Sequence, residues 1–231
     1  MATGVCGNEE MRKSIYRALA LLALCGCTQN IKNETSSFSI VSELSGALRE
    51  AMSTPELVDT RKTVTRQIIE SAGIPLLFIE KESGQNGTLS MYPGSNTVET
   101  WLSADGATVS LSSGELVATR GLGDDLMGSV VPKATTFKQR LGNPYTKTMR
   151  FLTADDQNDD LSLKCTMRQF HKSEEIVIFE KSHEVLKYFE TCKTENYALE
   201  NLFWQNAAGL TIMSKQFHSP SVGQLLIMRL K

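Results

Sequence analysis

Thr100-Trp101-Leu102-Ser103-Ala104-Asp105-Gly106-Ala107-Thr108-Val109-Ser110-Leu111-Ser112-Ser113-Gly114-Glu115-Leu116-Val117-Ala118-Thr119-Arg120 decides the fold. Val98 to Ser103 carries strand-forming residues around Trp101. Asp-Gly at Asp105-Gly106 is a hairpin signal, because a glycine takes the positive φ that tight turns demand. Thr108, Val109 and Leu111 alternate as a second strand, Ser113-Gly114 turns the chain again, and Glu115 to Arg120 follows. Consecutive strands on such short connections can only be antiparallel, since a parallel pair needs a crossover of a dozen residues or more.

The same grammar extends in both directions. Upstream, Leu76-Leu77-Phe78-Ile79 reads as a buried strand, Gly84-Gln85-Asn86-Gly87 as a turn with Asn-Gly supplying the positive φ, and Thr88 to Tyr92 as the returning strand. Downstream, Gly121 and Gly123 permit a tight exit from the strand, and Asp124-Asp125 is expected to cap a short helical turn into Leu126 and Met127. Pro132 to Pro144 reads as a connection and Asp155 to Asp160 as a solvated acidic loop. Strands are expected over Tyr145 to Leu152, Leu161 to Phe170, Ile176 to Glu180, Val185 to Cys192, Tyr197 to Gln205, Gly209 to Phe217 and Gln224 to Leu230. Ahead of the strands, Phe38 to Met52 and Thr63 to Ala72 have helical periodicity, ended by Pro55 and Gly73. The predicted fold class is mainly β, an antiparallel barrel-like or sandwich domain of about ten strands with a short helical N-terminal part.

The N-terminal region carries an address. Arg12, Lys13 and Arg17 precede an apolar run from Ala18 to Leu24, too short to span a bilayer. Leu24-Cys25-Gly26-Cys27 closes it and resembles a bacterial lipobox, which implies cleavage after Gly26 and acylation of Cys27. Residues 1–26 are then a signal peptide, and residues 1–10, with Glu9 and Glu10 opposing the positive segment, read as lying upstream of the true start at Met11. Residues 27–37 form a lipidated polar tether, and 38–231 a single β-rich domain. Thr28, in place of an Asp, favours the outer membrane. The 231-residue chain has a formal net charge of −2, with no basic stripe for nucleic acid.

Of the five cysteines, Cys6 and Cys25 fall in the signal and Cys27 is lipidated. Cys165 and Cys192 remain, and an even pair in an oxidising compartment reads as a disulfide. The rival reading, a metal site with His171 and His183, lacks ligand spacing, so no metal or cofactor is expected. Gly121-Leu122-Gly123 lacks the third glycine of a dinucleotide fingerprint, and the acidic loop lacks EF-hand spacing. No Gly-x-Ser-x-Gly is present, and His218, beside Ser219-Pro220, reads as a surface turn residue. Trp101 and Trp204 could stack on sugar rings, although aromatics on strands usually pack in cores.

Three segments resemble the YjbF/GfcB (YmcC) lipoprotein family: Thr100 to Gly106, Gly114 to Leu126, and a closing pattern of Glu190-Thr191-Cys192, Asn201-Leu202-Phe203-Trp204, Ser214-Lys215-Gln216-Phe217 and Pro220-Ser221-Val222-Gly223. This sequence has Lys215 and Phe217 where the family pattern has Arg and Trp. The resemblance implies an outer-membrane lipoprotein that assists assembly or export of exopolysaccharide or capsule by tethered binding, without an enzymatic activity. Implied partners are the membrane through Cys27, an outer-membrane barrel protein, periplasmic proteins of an export cluster, and polysaccharide itself. Trp101, Trp204 and Gln216 are the candidate contacts to sugar or a partner. The alternatives are a periplasmic glycan-processing enzyme and a carbohydrate-binding module.

Overall fold

Positive-φ turns set the frame. Gly84, Gly106 and Gly209 each close a three-residue hairpin loop, with paired hydrogen bonds such as Ser103 N to Ala107 O and Gly106 N to Ser103 O. Ser113-Gly114 is a two-residue turn with both φ values positive. The computed structural model describes residues 59–94, 97–131, 136–152, 158–196 and 198–231. The expected signal peptide, Cys27, the tether and the helix expected over Phe38–Met52 lie outside the described residues, as does the first half of the expected acidic loop, while Asn158 to Asp160 begin a strand.

Two short helices, α1 (Thr60–Thr63) and α2 (Arg66–Ser71), precede the sheet. They replace the single helix expected from Thr63, because Val64 and Thr65 are extended and Thr65 caps α2. Twelve strands follow: β1 (Leu76–Lys81), β2 (Asn86–Tyr92), β3 (Glu99–Ser103), β4 (Thr108–Ser112), β5 (Glu115–Arg120), β6 (Leu126–Val130), β7 (Tyr145–Leu152), β8 (Asn158–Ile178), β9 (Lys181–Lys193), β10 (Ala198–Gln205), β11 (Thr211–Ser219) and β12 (Gly223–Arg229). One helical turn, α3 (Phe137–Arg140), lies between β6 and β7.

Every strand pairs antiparallel with its neighbours in the chain except at β5–β6, and β1 pairs with β12. The sheet therefore curls into a nearly closed barrel whose two ends, β5 and β6, lie side by side. Side chains bridge this seam. Arg120 Nη1 donates to Leu126 O at 3.1 Å, and Leu126 N donates to Thr119 Oγ1 at 3.0 Å. Asp125 accepts from Gly121 N and Leu122 N. The expected helical turn at Leu126 is thus a strand start, because Asp125 spends its carboxylate on the preceding loop and Thr119 fixes Leu126 in line.

Other expectations shift for local reasons. The first turn uses Gly84, while Asn86 and Gly87 already belong to β2. The strand expected over Ile176–Glu180 ends at Ile178, and Phe179-Glu180 forms a two-residue turn with φ of 44° and 68°. Arg66 holds that turn, donating Nε to Phe179 O and Nη2 to Ile178 O at 2.8 Å each. β8 runs straight through the two segments read as separate strands, with a bulge between Gln169 and Ser173. Asp160 is in β8, where its carboxylate forks to Arg150 at 2.6 and 2.7 Å.

Period-2 alternation sorts two cores. Leu77, Leu89, Trp101, Val109, Leu163, Leu225 and Ile227 fill the barrel. On the outer face, Phe78, Trp204, Ile212 and Met228 pack against Ile69 of α2 and Ile178 and Val185 of the β8–β9 hairpin.

His218 corrects another expectation. It is fully buried in β11, with Nε2 2.8 Å from Thr119 Oγ1 and Nδ1 3.1 Å from Ser219 Oγ. It shares the inward phase of Ser214 and Gln216. Burial pushes its imidazole down to about 4. The folded value lies below the ordinary one, so the unfolded chain takes up this proton first. Stability from neutral His218 is present above the ordinary imidazole range and is lost as pH falls toward 4. Urea unfolding of wild type between pH 6.5 and 4 should show a one-proton slope from this residue, about 1.4 kcal/mol per pH unit. His218→Asn should remove that component; an unchanged profile would show that His218 is not titrating this way.

Candidate functional site

Charges that alternation would normally turn outward are buried inside the barrel. Tyr145, Lys147, Met149 and Phe151 of β7 share the inward phase, as do Tyr188, Glu190 and Cys192 of β9. Lys147 Nζ lies 3.1 Å from Glu190 Oε2 and 3.4 Å from Glu115 Oε1. Glu115 also pairs with Arg140 of α3 at 2.6 Å. Tyr145 Oη donates to Glu190 Oε1, and Asn201 Nδ2 donates to Glu190 Oε2 at 2.5 Å. Two carboxylates and two cations balance, as burial demands.

The electrostatics follow from the contacts. Burial, the largest influence on Glu190, favours its neutral form, but Lys147, Tyr145 and Asn201 outweigh it and hold the carboxyl below its usual range. Burial also opposes the charge on Lys147, and Glu190 and Glu115 outweigh it, keeping the ammonium protonated above its usual range. Burial, then the charge of Glu190, raises the Tyr145 phenol, so it remains a donor.

This network fastens α3 across one mouth of the barrel. Phe137 packs edge-on against Tyr188 and Phe203, with ring centroids 5.5 and 4.7 Å apart. The Arg140 guanidinium lies over the Tyr145 ring at 5.2 Å. Beside the plug opens a cavity of about 320 Å³, between the Ser113-Gly114 turn, the 206–209 turn and α3. Gly114 is needed there twice over: its φ is +84°, and an added Cβ would fall 2.2 Å from Thr211 Oγ1. A second cavity of about 460 Å³ lies at the opposite mouth, lined by Phe151, Leu161, Leu199 and Phe217 with Glu82 and Glu200.

The residues singled out in the sequence are dispersed through the barrel. Trp101 is 0 % exposed in the interior, its Nε1 donating to Glu99. Trp204 is 9 % exposed on the outer face, beneath Glu174, with Lys187 Nζ 5.0 Å from its ring. Gln216 is 1 % exposed and spans the barrel, accepting from Leu116 N at 2.8 Å and donating to Gly114 O at 2.9 Å. Each of the three lies on a covered face of its strand. Cys165 and Cys192 are opposite one another in β8 and β9 and form a disulfide. The disulfide occupies both sulfurs of the one Cys-Glu-Cys grouping with metal-like proximity among the described residues, which also includes Glu190. His171 sits in the β8 bulge and His183 in β9, away from that pair in register.

Glu115, Lys147, Glu190, Glu99 and Arg229 were missed as site residues. The signal for two of them was available: Lys147 and Glu190 each interrupt an otherwise apolar inward phase. Arg140 carried none, since its short helix lies in a stretch that reads as a connection.

No helix among the described residues is long and apolar enough to cross a membrane. No curated protein matches the chain. The crystal structure of the hypothetical lipoprotein YmcC from Escherichia coli (K12) is similar, at 19 % identity and a TM-score of 0.64, covering 85 % of this chain and 97 % of that one. A Bacteroides fragilis protein described as having a YmcC-like fold aligns at 12 % identity and a TM-score of 0.35, over 68 % of this chain and 93 % of that one. The YmcC likeness shows the fold. The model of the family described as group 4 capsule polysaccharide lipoprotein gfcB, YjbF, matches residues 39–230, and the chain belongs to that family.

Proposed function

We propose that this chain is an outer-membrane lipoprotein, held through acylated Cys27 with its barrel facing the periplasm, that assists assembly or export of capsule or exopolysaccharide by binding rather than by catalysis. The observation that carries this reading is the match over residues 39–230 to a capsule polysaccharide lipoprotein family. The Leu24-Cys25-Gly26-Cys27 junction supports the anchor. The buried network supports a binding role: Glu115 and Glu190 are sealed from substrate and neutralised by Arg140 and Lys147. The implied partners are an outer-membrane barrel protein and periplasmic proteins of the same export cluster. Tethering works by effective concentration, since a domain held at the membrane meets a membrane partner as if intramolecularly.

Cys27→Ala is the test. The variant should leave the outer-membrane fraction, appear in the soluble periplasm, and lower the amount of polysaccharide at the cell surface. A Cys27→Ala protein that still fractionates with outer membrane would defeat the anchor, and full export from a soluble variant would defeat the tethered mechanism.

A further inference from the structure

The cavity beside α3 has walls that are chemically unlike the rest of the barrel. Arg229, at the end of β12, donates Nη2 to Glu99 Oε2 at 2.7 Å, and its Cζ lies 5.2 Å from the Trp101 ring centre. Gln205 donates Nε2 to Thr211 Oγ1 at 3.1 Å. Asn206 accepts from Ala208 N and Leu210 N through Oδ1 alone. Each of these groups is therefore oriented by one half and open at the other. Among the described residues, Arg229 Nη1, Glu99 Oε1, Gln205 Oε1 and Asn206 Nδ2 have no hydrogen-bond partner, and all four side chains line the cavity. Gln205 is itself buried and lines the cavity.

We propose that this cavity binds one pyranose ring of a polysaccharide chain. A sugar ring offers neighbouring hydroxyls that each donate and accept, and it has an apolar C–H face. Two donors and two acceptors on planar guanidinium, carboxylate and amide groups match the hydroxyls. Phe137, Leu186 and Tyr188 supply the apolar surface. Glu99 already neutralises Arg229, so a bare anion would meet only Lys138, on the exposed side of α3, as a cation in the lining. An acyl chain suits the site worse, because it would strand four polar atoms without water. A volume of about 320 Å³ is at the low end for ligand sites, which fits a single ring held past the mouth. The choice of a glycan among polyols rests on the polysaccharide role proposed above.

The experiment maps backbone amide shifts by NMR on the otherwise intact chain carrying Cys27→Ala, with methyl α-D-glucopyranoside, methyl α-D-galactopyranoside, N-acetylglucosamine and glucuronate as probes, each to about 100 mM. At least one should move the amides of Gly114, Asn206 and Gly209 and saturate. Arg229→Gln is the obvious variant, but Arg229 also packs on Trp101. Ala208→Trp, at an exposed turn position, should fill the cavity and weaken binding at least about tenfold while leaving distant amides in place. No movement with any probe, or movement that survives Ala208→Trp, overturns the inference. Neither result touches the export role, which stands or falls on the fractionation and surface polysaccharide of Cys27→Ala.

Discussion

Lys147→Met should lower the stability of the barrel by about 3–5 kcal/mol, the usual loss when one member of a buried ion pair is removed. For a domain of this size that is roughly 10–15 °C in melting temperature. Methionine fills the space of the lysine stem, so packing changes little. What changes is that Glu190 keeps Tyr145 and Asn201 as donors and loses its cation. Glu115 keeps Arg140 and loses its second partner. Adding Glu190→Gln should restore much of the loss, because it removes the stranded charge; a coupling of about 2 kcal/mol or more is expected in the double-mutant cycle. Strictly additive losses, or a Lys147→Met effect below about 1 kcal/mol, would show that the network does not behave as a unit.

The pH dependence of this pair has two limits. Glu190 is held below its usual value, so its contribution is present above the ordinary carboxylate range and lost as pH falls. Lys147 is held above its usual value, so its contribution is present below the ordinary lysine range and lost as pH rises past the folded value. The pair therefore supports the fold from about pH 5 to about pH 10. Because protonation relieves a stranded carboxylate, the gap between wild type and Lys147→Met should narrow below that window.

The disulfide is the second large contributor. Cys165 and Cys192 are 27 residues apart, and closing a loop of that length removes about 3.5 kcal/mol of chain entropy from the unfolded state. Both sulfurs are fully buried. Reductant should therefore leave the folded protein oxidised and act only once urea opens the barrel. Cys165→Ala with Cys192→Ala should lose about 3 kcal/mol, read as an earlier urea midpoint. Equal midpoints for wild type with and without reductant would show that the crosslink is not stabilising. The two predictions are not independent, since Glu190 and both cysteines approach within 4.8 Å; the triple variant need not lose the sum.

Much of the meander was legible because turns are chemically demanding. Gly106 and Ser113-Gly114 announce themselves, as few residues accept positive φ, whereas Gly209 was read as a strand start and is the last residue of a turn. Phe179-Glu180 was illegible for the complementary reason. Neither residue prefers that conformation, and it is held by Arg66, 112 and 113 residues away along the chain. The start of β6 was misread because Asp124-Asp125 has the composition of a helix cap, and only Thr119 and the loop amides show where the Asp125 carboxylate goes. The long β8 was cut in two because Phe170 to Ser173 breaks alternation, which is what a bulge does.

The site divides the same way. Trp101, Trp204 and Gln216 stand out by residue type, yet residue type does not say which side of a strand is covered. Period 2 tells which residues share a face. It does not tell which face closes inward, nor which strand lies opposite. By itself the sequence determined an antiparallel β domain, its turn chemistry and an even pair of cysteines, because φ preference, alternation and parity are local properties or simple counts. Only the tertiary structure decided that Glu115, Arg140, Lys147 and Glu190 meet, that Gln216 spans the barrel, and that Glu99, Gln205, Asn206 and Arg229 share one cavity. Those meetings depend on curvature that brings the end of the meander back beside its beginning, and curvature belongs to the sum of all twelve strands.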